Sequence, residues 1–527
     1  MADTLLNWVL RGVVLLFGAG AAVALARWLL VFFRDRREKW AQRIAIAMIL
    51  LAIVYAAGHG RLLLDREQIE AGRMRYARFG DPRLAELNRA ELRGWMMACT
   101  ERDDQALARY GVQDGEVSRV YPLGEAGANF VGGGTGAEDR DYTVERLFTP
   151  QLRKPVSFAE QGELHPAGTD LHLTLCAGPT RAAWELLQST GRPGVVVIQD
   201  VRTGALVAYA ASGRAEDAPY GIKRYAIPGS VFKLALAALW WDAGLPDERW
   251  PCPPQIQVGN RAIRNFESHE YASLSVPTGM LMVSCNTQSI RMAFELRERL
   301  GPQAVADGFR RFGFVPYSDE RPKEDPSFWN TANQRWVDRM TPPPARVKLA
   351  TRFAGPAVFE YAQIGIGQGP VDVTPIAVSR FLQAIGSGGL MLPVTFERDR
   401  LNELPEPRRI MKEETTLKLM RAMRLVVDSG TAVRAVPIIR GTGWDLGGKT
   451  GTADVVRGHV PDGWFAGLMF GPDQRPRYTV VVYVENGGQG GRIAAPIAAE
   501  LTRYMAREEA ARQAAEQRAQ PTAEGGR

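Results

Sequence analysis

The chain has 527 residues, enough for roughly two to four domains, and 46% hydrophobic against 23% charged residues is the balance of a folded protein with only local disorder. Its net charge of +7 arises from 65 basic and 58 acidic residues dispersed among one another, with one short basic run at Arg34 to Lys39, which argues against a nucleic-acid-binding protein. The four cysteines, Cys99, Cys176, Cys252 and Cys285, form no C-x-x-C pair, which argues against a zinc knuckle or a disulfide-stapled fold, and the five histidines leave few candidates for a His-dependent mechanism.

From Val13 to Phe33 the chain is apolar apart from Arg27, whose long side chain can snorkel to an interface. At roughly 1.5 Å per residue this run crosses a hydrocarbon core of about 30 Å. A second apolar run, Ile44 to Ala57, recruits its flanks, so the expected spans are about 13–33 and 42–62 within an anchor of residues 1–64. Between them Arg34, Arg36, Arg37 and Lys39 supply four cations, whereas the first ten residues hold no Lys or Arg. The positive-inside rule then places that loop in the cytoplasm and both ends of the hairpin outside. A single anchor, or a signal peptide cut after Ala24-Leu25-Ala26, stays open as a rival, although the basic n-region of a signal peptide is missing. Every version leaves the residues after about 65 outside the cytoplasm.

Residues 65–190 mix short patterns with a glycine-rich stretch, Gly132-Gly133-Gly134-Thr135-Gly136, and read as a small non-catalytic module. The texture changes near Gly191. Val195 to Ile198 is a buried-strand pattern, Arg202-Thr203-Gly204 a turn and Ala205 to Ala211 a second strand, a hairpin that opens a new domain at 191–505. Pro228 to Gly244 predicts a helix, Pro251 to Ser275 a loop, and Leu281 to Leu300 another helix. Thr374-Pro375 offers an N-cap followed by proline at N1, so a helix starts there. Gly463 to Phe470 and Tyr478 to Glu485 read as strands parted by Gly471-Pro472-Asp473. Two segments rich in proline and charge, Pro316 to Pro356 and Pro393 to Arg408, look like surface excursions, and 506–527 like a frayed helix running into a flexible tail. Strands at both ends of the domain with helices between them predict an α+β fold, an antiparallel sheet flanked by helices.

Three short motifs follow in order: Ser230-Val231-Phe232-Lys233, Ser284-Cys285-Asn286 and Lys449-Thr450-Gly451. Ser230 and Lys233 stand three residues apart at a helix start, so both side chains share one face. A serine hydroxyl needs a base to become nucleophilic, and a lysine amine serves once burial or a neighbouring cation depresses its pKa. Lys449 offers the second cation and Ser284 a hydroxyl able to relay protons to a leaving amine. Lys449-Thr450-Gly451-Thr452 after Gly447-Gly448 predicts an edge strand beside which a peptide can pair, with the Thr450 and Thr452 hydroxyls on a terminal carboxylate. The backbone N–H groups of Ser230 and Thr452 form the expected oxyanion hole, and Asn286 the expected holder of a substrate amide. Taken singly, each motif also reads as a helix-start serine with a solvated lysine, an N-cap or a turn; taken together they point to catalysis. No H-e-x-x-H, P-loop or G-x-S-x-G occurs, so no metal or cofactor is expected.

The trio S-x-x-K, S-x-N and K-T-G resembles the signature of penicillin-binding proteins. The likeness extends over Arg93-Gly94 with Ala106-Leu107-Ala108, Tyr121-Pro122-Leu123-Gly124, Pro228-Gly229-Ser230, Gly367-Gln368-Gly369, Val373-Thr374-Pro375, Trp464-Phe465-Ala466-Gly467 and Glu485-Asn486. The chain thus resembles a class B, monofunctional penicillin-binding protein. The resemblance implies a penicillin-binding-protein/β-lactamase-like transpeptidase domain on a pedestal, outside the inner membrane. It implies acylation of Ser230 by the penultimate D-Ala of a peptidoglycan stem peptide, transfer to a neighbouring amine, inhibition by β-lactams and a polytopic SEDS-type glycosyltransferase as partner. Asn129 stands where many relatives carry histidine and Cys176 where aspartate is common; Cys252 matches a position that often forms a disulfide, but with no partner cysteine nearby none is expected here. A D,D-carboxypeptidase or β-lactamase shares the chemistry with water as acceptor, and a β-lactam sensor or inactive scaffold is the reading from another class.

Overall fold

A computed structural model describes residues 95–99, 106–113, 116–133, 143–152, 170–213, 221–222, 224–317, 329–330, 335–336, 345–349, 353–403, 406–454 and 459–519. The expected membrane hairpin, Arg93-Gly94 and the last eight residues lie outside the described residues. Among the described residues no helix is long and apolar enough to cross a membrane.

The elements that frame the site are α1 (Ala177–Gln188), β1 (Gly194–Asp200), β2 (Leu206–Ser212), α2 (Lys233–Asp242), α3 (Thr278–Val283), α4 (Asn286–Leu300), α5 (Pro375–Gly386), α6 (Glu413–Asp428), β3 (Asp445–Ala453), β4 (Asp462–Phe470), β5 (Pro476–Val484) and α7 (Gly490–Ala519). The five strands form one antiparallel sheet in the order β3-β4-β5-β1-β2, so the last strand of the sheet in sequence pairs with the first. Val195 to Ile198 is a continuous apolar run because the sheet is covered on both faces. Successive side chains alternate between faces. Val196, Ile198, Val480 and Val482 join α1 and α7 in one apolar cluster, while Val195, Val197 and Val481 join residues of α5 in the other. Helices therefore flank an antiparallel sheet, the α+β architecture expected.

The predicted start of α5 holds: the Thr374 hydroxyl accepts from Ala377 N at 3.2 Å, with Pro375 at the first helical position. Four expectations need correction. The helix foreseen over 281–300 is two, α3 and α4, because Ser284 takes a left-handed conformation (φ 59°, ψ 39°) and ends α3. The segment 251–275 is a set of short strands: Glu248–Cys252 pairs with Tyr271–Val276, and Gln255–Val258 with Arg261–Arg264. The stretch after Pro393 is no surface excursion throughout, since Val394 and Phe396 are core residues and the Phe396 ring meets Phe130 and Phe148 edge-on. Similarly, Val347, inside the other expected excursion, is fully buried in strand Ala345–Lys348.

The fourth correction concerns the cysteines. All four are paired, Cys99 with Cys176 and Cys252 with Cys285. The partners are 77 and 33 residues apart, a closeness that only the fold creates. Cys99–Cys176 ties the segment after Met96–Met97 to the start of α1, where Cys99 N also donates to Leu175 O at 3.0 Å. The described residues from Trp95 onward belong to one compact unit with the sheet, and α7 extends to Ala519.

Replacing Cys252 and Cys285 together by alanine is expected to cost about 2–4 kcal/mol of unfolding free energy, read from denaturant midpoints under oxidising conditions. Equal midpoints for the variant and the parent would show that this pair is not bonded.

Candidate active site

Ser230 lies on a 3-10 turn, Gly229–Phe232, which continues directly into α2 at Lys233. In 3-10 geometry residues i and i+3 eclipse, so Ser230 stands in line with Lys233 more closely than on an α-helix. Every residue of α2 from Lys233 to Asp242 is buried, which drives the helix and its lysine into the core. The turn is clamped from two sides. Gly229 (φ 53°) donates its N–H to Gly367 O at 2.9 Å, and a Cβ on Gly367 (φ 67°) would fall 1.9 Å from Gly229 O. A Cβ on Gly229 would fall 2.6 Å from Thr452 O, and one on Gly451 2.7 Å from Pro228 O. Glycines at these places let turn, strand and loop approach backbone to backbone.

Both motif lysines are fully buried and reach the same hydroxyl. Lys233 Nζ donates to Ser284 O and Asn286 Oδ1, each at 2.8 Å, and to Ser284 Oγ at 3.3 Å. Lys449 Nζ donates to Ser284 Oγ and to Thr450 O, each at 2.9 Å. Burial, and then the charge of Lys449, push the Lys233 amine well below the usual lysine range. Burial lowers Lys449 to about 7. The left-handed turn at Ser284 is what presents its hydroxyl to both.

β3 is an edge of the sheet, as the sequence predicts for Lys449 to Thr452. Thr452 O accepts from Gln368 Nε2 at 3.3 Å and so faces away from β4. In an antiparallel strand the N–H and C=O of one residue point the same way, so the Thr452 N–H also faces the Ser230 turn. The hydroxyl oxygens of Thr450 and Thr431 lie 2.6 Å apart. Asn286 is held at both ends, its Oδ1 on Lys233 and its Nδ2 donating to Arg264 O at 3.0 Å. Lys233, Ser284, Asn286, Lys449 and Thr450 are thus joined by hydrogen bonds, and Ser230 stands on the turn whose Pro228 and Gly229 lie against Gly451 and Thr452 of the edge strand.

Sequence reasoning missed Asn265 and Thr431. Buried Asn265 accepts at Oδ1 from the N–H groups of Asn286 and Thr287, at 2.9 and 3.2 Å, satisfying two of the unpaired donors at the start of α4. No local pattern around Asn265 announces this, because it caps a helix that begins more than a loop away. Gln368 was visible only as part of Gly367-Gln368-Gly369.

Residues 194–503 match the family model described as the penicillin binding protein transpeptidase domain. The chain therefore belongs to the penicillin-binding protein transpeptidase family and is a serine-type transpeptidase. It is 26% identical over 423 residues to the probable peptidoglycan D,D-transpeptidase PenA of Neisseria gonorrhoeae, covering 72% of this chain and 67% of the relative. It is also 26% identical to the probable peptidoglycan D,D-transpeptidase FtsI of Caulobacter vibrioides, covering 76% of this chain and 64% of the relative. Among solved structures, the D,D-transpeptidase domain of a peptidoglycan glycosyltransferase from Eggerthella lenta superposes with a TM-score of 0.62 at 22% identity, over 80% of this chain and 99% of that one. Penicillin-binding protein A of Mycobacterium tuberculosis, as its ceftriaxone acyl-enzyme, gives a TM-score of 0.60 at 21% identity, over 78% and 97%.

With its folded pKa at about 7 and an unfolded value near 10.5, Lys449 binds a proton in the unfolded chain but not in the folded one between those limits. Stability from this group is therefore gained as pH rises through that window and lost as it falls to about 7. Relative to Lys449→Met, the wild type is expected to gain on the order of a few kcal/mol of unfolding free energy between pH 7 and 10. A difference independent of pH would mean the amine is not buried.

Proposed function

We propose that this protein is a class B peptidoglycan D,D-transpeptidase that works through an acyl-enzyme on Ser230. The observation that carries the reading is the pair of buried lysines on one serine hydroxyl, set beside a helical-turn serine at a sheet edge. Such a pair disfavours two charges, so one amine is neutral and can act as a base.

In this mechanism Lys233, neutral with its two protons on Ser284 O and Asn286 Oδ1, takes the Ser230 proton on its lone pair as Oγ attacks the carbonyl carbon of the penultimate D-Ala. The N–H groups of Ser230 and Thr452 hold the oxyanion, and the Thr450 and Thr452 hydroxyls hold the terminal carboxylate. Gly451 keeps the strand close to the turn, and the second Nδ2 proton of Asn286 is left for the acyl-side amide. As the tetrahedral centre collapses, the C–N bond breaks and the Ser284 hydroxyl, replenished from the lysines, passes a proton to the departing D-Ala amine. A second stem's amine then attacks the ester, and Ser230 recovers its proton. A β-lactam enters the first half of this cycle, and its ring opening leaves the ester on Ser230.

The reading includes an extracytoplasmic catalytic unit on an inner-membrane hairpin at about 13–33 and 42–62, with residues 65–190 as pedestal and a SEDS-type glycosyltransferase as partner. The two disulfides support this compartment, since such bonds persist where the surroundings are oxidising. The residue spacing and charge of the N-terminal run support the hairpin.

Intact mass spectrometry after penicillin treatment is expected to show one adduct, absent in Ser230→Ala, and Lys233→Ala is expected to slow its formation by about 10²–10⁴-fold. Labelling that survives Ser230→Ala moves the nucleophile elsewhere. Adduct that hydrolyses within seconds converts the reading into a β-lactamase, and release of D-Ala without transfer to an added amine into a carboxypeptidase.

A further inference from the structure

Resting on the transpeptidase reading, we infer that Thr431 is a positioning residue of the carboxylate subsite: its hydroxyl donates to Thr450 and so turns the Thr450 proton toward the terminal carboxylate of the donor.

Thr431 follows α6 in the run Ser429-Gly430-Thr431, and its backbone has little freedom. Its N–H donates to Met282 O at 3.3 Å, two residues before Ser284. A Cβ on Gly430 would fall 2.4 Å from that same Met282 O, and one on Gly491 2.1 Å from Thr431 O. The Ser284 segment and the first turn of α7 thus grip Thr431 from opposite sides. Its side chain then meets Thr450 with the oxygens 2.6 Å apart, a strong hydroxyl–hydroxyl contact.

Each hydroxyl has one proton and can accept from others. One proton of the pair lies between the two oxygens, so the pair offers one donor to a ligand. Thr450 is buried and adjoins Lys449, which is the cationic side of the groove, whereas Thr431 is exposed at its rim. A carboxylate accepts only, so a Thr450 hydroxyl that spent its proton on Thr431 would face that ligand with lone pairs. Donation from Thr431 to Thr450 removes this conflict. It leaves the Thr450 proton beside the Thr452 hydroxyl and the Lys449 charge, three features an anion can use together.

The test is the saturation kinetics of acylation by a fluorescent penicillin carrying its free carboxylate and by the methyl ester of the same compound. Thr431→Val keeps the shape and removes the hydroxyl; Thr431→Ser restores it. For the carboxylate, Thr431→Val is expected to raise the apparent dissociation constant about tenfold, the upper worth of the one neutral hydrogen bond that orients the Thr450 hydroxyl, with the limiting acylation rate within about threefold of wild type. Thr431→Ser is expected to return it to within about threefold. For the ester, an uncharged and weaker acceptor, Thr431→Val is expected to change the constant less than about threefold. Equal losses for both compounds would assign Thr431 a packing role only, and no loss for either would remove it from the subsite; each result overturns the proposal. A wild-type chain that takes up neither compound refutes the enzyme reading itself, and so is told apart from a failure at Thr431.

Discussion

Two fully buried amines on one hydroxyl can coexist only if one is neutral much of the time, and that constraint organises the residues around Ser230. Lys233 and Lys449 arrive from an all-buried helix and an edge strand, and both end on the Ser284 hydroxyl. Desolvation lowers both amines, and the charge of Lys449 lowers Lys233 further. In the proposed mechanism this state makes one amine a base, and the fold bears its cost, since a buried lysine opposes folding wherever the unfolded chain would keep its proton. The sheet, with apolar clusters on both faces, supplies the burial against which that cost is set.

Holding the lysines apart but on one hydroxyl requires a rigid Ser284. Three independent features converge there. The left-handed backbone at Ser284 breaks what would otherwise be one helix, the Cys252–Cys285 bond ties the next residue to a neighbouring strand, and Asn265 occupies the first two N–H groups of α4. Opposite them, Gly229, Gly367 and Gly451 allow backbone contacts that a Cβ would forbid. Small residues bring the groove together on one side, and covalent and hydrogen-bonded ties fix it on the other.

Ser230, the two lysines and the three motifs were legible because they stand at short, fixed spacings along the chain. So were β1, β2, β4, β5 and the start of α5, where apolar runs and an N-cap proline pair act locally. Asn265 and Thr431 were not legible. Each acts across tens of residues on a group in another element, through a single polar atom that leaves no periodic trace. The disulfides failed for the same reason: spacing along the chain says nothing of Cβ geometry when 33 or 77 residues intervene.

By itself, then, the sequence determined which groups are available for catalysis and which segments must be buried, since side-chain chemistry and hydropathy are local properties. Tertiary structure alone decided that the helix over 281–300 breaks at Ser284, that all four cysteines pair, and that Thr431 stands against Thr450. Those outcomes depend on where distant backbones come to rest, and only the packing of the whole sheet with its helices sets that.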